Sequence, residues 1–160
     1  MADEEQSADQ KEKTRRIVKP EKIYIKDVSF ETPNSPEIFL SKEDMEVSLL
    51  MDSTSKDLGE DVYEVVLSVT LTVKMGDQTA YLAEVHQAGI FTIIGLNPEQ
   101  LHRNQNVFCL RFLHPYVSAA LSDLVTRGGF PQFIVPPVNF DKRYADHHEK
   151  SEENSEPEVS

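Results

Sequence analysis

Residues 62–74 read VYEVVLSVTLTVK. Tyr63, Val65, Leu67, Val69, Leu71 and Val73 hold the odd positions, while Glu64, Ser68, Thr70, Thr72 and Lys74 hold even ones. Side chains of an extended chain alternate between two faces, so this pattern predicts a strand with one face in a core and the other in water. Gly76-Asp77 follows, the chemistry of a two-residue hairpin turn. The return strand is expected over residues 78–94, with Tyr81, Ala83 and Val85 facing the core and Leu82, Glu84 and His86 facing out. Gly89 is a place where it can bend.

Upstream, residues 45–52 alternate in the same way. Met45, Val47, Leu49 and Met51 take one face, and Glu46, Ser48, Leu50 and Asp52 the other. The polar stretch STSKDLGED after them is expected to be a loop. A further strand is expected over residues 23–31, where the apolar parity switches between Ile25 and Val28, the mark of a bulge. Asp27, Ser29 and Glu31 then share a face. The connection TPNSPEIFLSKED is too rich in proline for a tight hairpin, yet it carries Ile38, Phe39 and Leu40, which need cover. Together these segments predict a four-stranded, mostly antiparallel sheet with one wet side.

Downstream, Asn97-Pro98-Glu99-Gln100 is a helix start: a capping Asn, Pro in the first turn and Gln three residues after the cap. Leu113, Tyr116, Val117, Ala120, Leu121, Leu124 and Val125 continue at helical spacing to a stop at Gly128-Gly129. Pro115 is expected to kink or break the helix. The class is therefore α+β: a four-stranded antiparallel sheet packed with a long C-terminal helix. The next segment, FPQFIVPPVNFD, sets six large apolar residues among three prolines and must be buried or line a binding surface. Residues 1–20 and 145–160 show no apolar period and read as disordered acidic or charged arms around a folded domain at 21–144.

The chain has 160 residues and a net charge of −12, which suits a single domain. Residues 17–140 alone hold 16 acidic and 9 basic side chains. Such a surface repels nucleic acid and anionic lipid and favours a basic partner. The N-terminus has no apolar leader and no segment is long and apolar enough to span a membrane, so the expected location is the cytoplasm. Cys109, the single cysteine, lies in an apolar run and reads as a small hydrophobe. There is no phosphate loop and no nucleophile elbow. His147 and His148 beside Asp146 and Glu149 read as a solvated run in preference to a metal site. Glu84 and His86 share a strand face, but the sequence sets no nucleophile or oxyanion hole beside them. The expectation is a protein without catalytic residues, metal or cofactor, one that works by binding polypeptides.

Four stretches taken together resemble the SecB family of protein-export chaperones. They are IYIKDVSFETPNSPEIF (23–39), DVYEVVLSVTLTV (61–73), YLAEVHQAGIFTIIG (81–95) and FLHPYVSAALSDLVTRGGFPQFIVPPVNFD (112–141). The resemblance implies a homotetramer, a dimer of dimers, that holds unfolded secretory precursors and passes them to the SecA ATPase. It implies a SecA-binding surface at Asp27, Glu31, Leu82 and Glu84. It implies a client groove at Val47, Leu49 and Met51, widened here to Phe39, Phe130, Phe133 and Ile134. Tyr81, Ala83, Val85, Tyr116 and Ala120 are expected at subunit interfaces. One departure stands out: after the NFD motif the chain reads KRYADHHEKSEEN, which supports only a short, weak terminal helix. A purely structural oligomer that ignores unfolded proteins is one rival reading, and two others remain at this point. One is a general SecB-like holdase attached to a toxin–antitoxin system. The other is a small-molecule pocket using Glu84 and His86.

Overall fold

The computed structural model describes residues 15–153. Strands β1 (Ile17–Glu31), β2 (Met45–Gly59), β3 (Val62–Met75) and β4 (Gln78–Ile94) form one antiparallel sheet in the order β1-β4-β3-β2. Helices α1 (Pro98–Asn106), α2 (Phe108–Arg127) and α3 (Phe140–Glu153) follow. The predicted α+β class is the observed one.

The helix α2 lies across β4 and β3. Leu110, Leu113, Val117, Leu121 and Val125 recur at three- and four-residue spacing and are buried against Val65, Leu67, Val69, Leu71 and Val73 of β3. Tyr81, Ala83 and Val85 of β4 complete the layer. Full burial of one such side chain contributes about 1.5–3 kcal/mol. The layer is closed at the edges by Ile38, from a 3-10 turn at Glu37–Leu40, and by Phe130, Val135 and Phe140 after α2. The proline-rich segment is therefore split: those three residues are buried, whereas Ile134 is 69% exposed.

The β3–β4 hairpin turns at Gly76, whose φ of 61° suits a residue without Cβ. Asn97 caps α1 reciprocally with Gln100, as its sequence predicts. The parity switch in β1 is a real register shift between Ile25 and Asp27. It leaves Ile23 and Ile25 facing the helix side and turns Asp27, Ser29 and Glu31 to the wet side.

Several expectations are corrected. The stretch STSKDLGED is not a loop: β2 runs on to Gly59, and the chain reverses at Glu60-Asp61, both with positive φ. These polar residues can extend the strand because β2 is an edge whose far half is wet on both faces. Pro115 does not break the helix. The interruption falls at Val107 (φ −121°, ψ −69°), where the Asn106 amide donates to the His102 carbonyl over 2.8 Å. Pro115 sits inside α2 at an exposed position, as does Arg111, whose carbonyl loses its partner. Strand β1 begins at Ile17, inside the stretch expected to be disordered, because residues 17–20 pair with residues 91–94 of β4. At the other end, α3 extends through Glu153 instead of fading near 145. Its first turns are anchored by buried Phe140, and Asp141 accepts from Arg103 at 2.7 Å and from Arg111 at 2.6 Å. The remainder of the two expected arms, 1–14 and 154–160, lies outside the described residues.

Candidate functional site

The sheet has a wet face and, on the helix side, an open edge along β2. The wet face is built by register. Across β1 and β4, Asp27 pairs with His86, Ser29 with Glu84 and Glu31 with Leu82. Across β4 and β3, His86 pairs with Ser68, Glu84 with Thr70 and Leu82 with Thr72. Register partners in an antiparallel pair share a face. Asp27, Glu31, Leu82 and Glu84 thus meet on two adjacent strands, and the bulge after Ile25 is what brings the β1 pair to this side.

Two glutamates on this face are in different states. Both oxygens of Glu64 are used within the chain: Lys26 donates to one at 2.7 Å and the Tyr24 hydroxyl to the other. The Lys26 ammonium and the Tyr24 hydroxyl hold the Glu64 carboxyl below its ordinary value, against a smaller opposing effect of burial. The same bond to Glu64 pushes the Tyr24 phenol up to about 12. The Glu84 side chain stays 42% exposed, against 13% for Glu64, and only one of its oxygens is engaged, by His86 Nε2 at 2.5 Å. The other His86 nitrogen, Nδ1, meets the Ser68 hydroxyl at 2.8 Å. Sequence reasoning missed Ser68, because its signal is cross-strand register and not spacing along the chain.

The row Ser68–His86–Glu84 has the residue types of a hydrolytic triad but lacks an oxyanion hole. Both β3 and β4 are flanked by strands on each side, so their amides are taken up in the ladders. Cys109 offers no alternative nucleophile: it is buried, and burial pushes its thiol up to about 12.

The helix side is open along β2. Val47 is 52% exposed, and Leu49 and Met51 are half-buried against the core's rim. Near the 3-10 turn, the Phe39 ring packs on Phe130 with centroids 5.0 Å apart, and Phe130 packs on Tyr81 at 4.7 Å. Phe130 is itself buried and Phe133 half-buried, so they form floor, while Phe39 and Ile134 stand in solvent. Leu40, 83% exposed, and Met45 extend the apolar strip beyond the expected residues. From α3, Arg143 donates to the Met51 carbonyl over 2.8 Å and ties that helix to the same strand.

Tyr81, Ala83 and Val85 are corrected. They lie beneath α2 in the chain's own core, each 3% exposed or less, and are not available to another subunit. The alternation of β4 marks them as covered, and α2 is the cover. Tyr116 remains 45% exposed and Ala120 half-buried. With Ile23, Ile25 and Ala119 they line a mostly apolar groove between β1 and α2.

Residues 10–151 match the family described as Preprotein translocase subunit SecB. The chain belongs to the SecB family. A protein-export protein SecB of Nitrosococcus oceani is 45% identical over 141 residues, covering 87% of this chain and 86% of that protein. One from Stenotrophomonas maltophilia is 48% identical over 126 residues, covering 79% and 73%. Among solved structures, the Mycobacterium tuberculosis SecB-like chaperone Rv1957, in complex with a ChAD peptide from the HigA1 antitoxin, superposes with a TM-score of 0.65. At 16% identity, over 76% of this chain and 91% of that one, it shares the SecB fold.

Proposed function

We propose that the protein is an ATP-independent chaperone of protein export, which holds unfolded precursors in the cytoplasm and delivers them to SecA. The observation that carries this reading is the uncovered apolar strip of Phe39, Leu40, Met45, Val47 and Ile134 beside a fully closed core. An unfolded polypeptide presents extended apolar segments, and a shallow strip of Phe, Leu, Met and Val contacts accepts many sequences with little discrimination. Holding needs no bond to be made or broken, so no catalytic group or cofactor is required.

The wet face suits a different partner. Asp27, Glu31 and the free oxygen of Glu84 are acidic and open, which favours a basic segment of SecA and disfavours nucleic acid. The groove between β1 and α2 is the natural place for a second copy of the chain, and a dimer of dimers would leave both the strip and the wet face available. No helix among the described residues is long and apolar enough to cross a membrane. The relatives at 45% and 48% identity carry the name protein-export, and this favours export over service to an antitoxin.

The test uses the assembled protein, with its mass checked in solution. A denatured precursor is diluted with and without it, and SecA is titrated against the same preparations. Aggregation is expected to be suppressed. Leu49→Arg places a charge in the apolar strip and is expected to abolish most suppression while leaving SecA binding. Asp27→Lys is expected to do the reverse. Equal loss of both activities in each variant would refute the separation of the two surfaces.

A further inference from the structure

We propose that His86 and Ser68 are positioning residues that hold the Glu84 carboxylate ready for a basic partner, an inference that rests on reading the wet face as the SecA-docking surface. The three side chains lie in one line on adjacent strands: Ser68 Oγ to His86 Nδ1 at 2.8 Å, and His86 Nε2 to Glu84 Oε1 at 2.5 Å. A carboxylate only accepts, so the proton on Nε2 points at Glu84. In the neutral ring Nδ1 is then an acceptor, and the Ser68 hydroxyl donates to it. The register pair Ser68–His86 fixes the ring from β3. Glu84 thus sets the tautomer, Ser68 holds the ring from β3, the ring fixes one carboxylate oxygen, and the second oxygen is left unbonded.

The contrast with Glu64 supports presentation over mere surface bonding. Glu64 spends both oxygens on Tyr24 and Lys26 and is nearly covered, whereas Glu84 spends one and keeps 42% of its side chain in solvent. A carboxylate held in one rotamer loses less freedom when a partner's cation docks, so pre-ordering raises affinity without adding a contact. The charged and titratable groups gathered near the ring are Asp27 and Lys26 on β1, Glu64 on β3, Asp52 on β2 and Glu84 on β4 itself. Lys26 is committed to Glu64.

The experiment titrates SecA onto the intact assembly of the wild type and of His86→Ala, His86→Gln, Ser68→Ala, Glu84→Gln and the double variant His86→Ala/Glu84→Gln. Unchanged mass and precursor holding serve as the folding check. Loss of a hydrogen bond to a charged group predicts that His86→Ala weakens SecA about fivefold or more. Ser68→Ala should weaken it less, and His86→Gln, which restores a donor, should recover most of the affinity. The double variant should bind no worse than Glu84→Gln alone. Wild-type binding by His86→Ala alongside weakened binding by Glu84→Gln would overturn the positioning role and leave the docking surface standing. Wild-type binding by Glu84→Gln would overturn both.

Discussion

Val69, Leu71 and Val73 on β3 face Met51, Leu49 and Val47 on β2 across one row of ladder bonds, on the same side of the sheet. The β3 residues are 0% exposed; Val47 is 52% exposed, and Leu49 and Met51 are half-buried. The residue class, the alternation and the face are the same, yet one row is core and the other is surface. The difference is cover. Helix α2 packs on β4 and β3, and its buried stripe is exhausted there. An apolar face that continues past the helix meant to cover it becomes a strip on which another chain can lie.

The largest expected effect tests that contrast directly. Leu71→Ala removes a side chain from a closed core and should cost about 2–5 kcal/mol. Val47→Ala, two register positions away on the open row, should cost less than about 1 kcal/mol. Urea unfolding at one fixed protein concentration measures both. Comparable losses would mean that β2 is covered in the assembled protein, and the strip would then be an interface between subunits and not a place for clients.

Much of this was legible in the sequence, because alternation assigns faces without knowledge of the neighbours. The β3 pattern, the bulge in β1, the Asn97 cap and the grouping of Asp27 with Glu31 and of Leu82 with Glu84 all follow from parity. What was not legible depends on pairing. Counting back from the Gly76-Asp77 turn pairs Ser68 with Val85, on the wrong face. The register shift between Val73 and Lys74 moves the pairing by one and brings Ser68 to His86. Alternation likewise marked Tyr81, Ala83 and Val85 as covered but could not say by what, and the covering turned out to be the chain's own helix. The stretch STSKDLGED has no apolar face to read, so only its ladder to β3 reveals it as strand. The terminal helix hid for a related reason: its hold comes from Arg103, Arg111 and His102 on α1 and α2, far away in sequence.

That terminal helix sharpens the comparison at a smaller scale, since Arg143 reaches from it to the open strand. Asp141 is the common partner of Arg103 and Arg111, and all three side chains are about half exposed. Ion pairs of that exposure contribute about 0–1 kcal/mol. Asp141→Ala is therefore expected to leave the global unfolding midpoint nearly unchanged while loosening α3. Amide exchange should speed up about threefold to tenfold over residues 140–150 and stay constant over 62–94. Faster exchange in β3 as well would show that α3 helps to hold the sheet together and is not an appendage of its open edge.

The smallest effect lies on the opposite face, where the contrast between strands is inverted: the β3 carboxylate, Glu64, is the closed one and the β4 carboxylate, Glu84, the open one. Lys26 and Tyr24 hold the Glu64 carboxyl below its ordinary value of 4.5. A carboxyl depressed in the native state binds its proton less readily there than in the unfolded chain. Its contribution to stability is therefore complete above the ordinary value and is lost as the pH falls through the depressed one. Glu64→Gln keeps the shape and removes the titration, so it should lower stability slightly at neutral pH and flatten the acid limb of stability measured from about pH 6 down to about pH 3. If instead Glu64→Gln leaves that limb unchanged, the bonds from Lys26 and Tyr24 are not held in solution, and β3 presents an open carboxylate on the wet face.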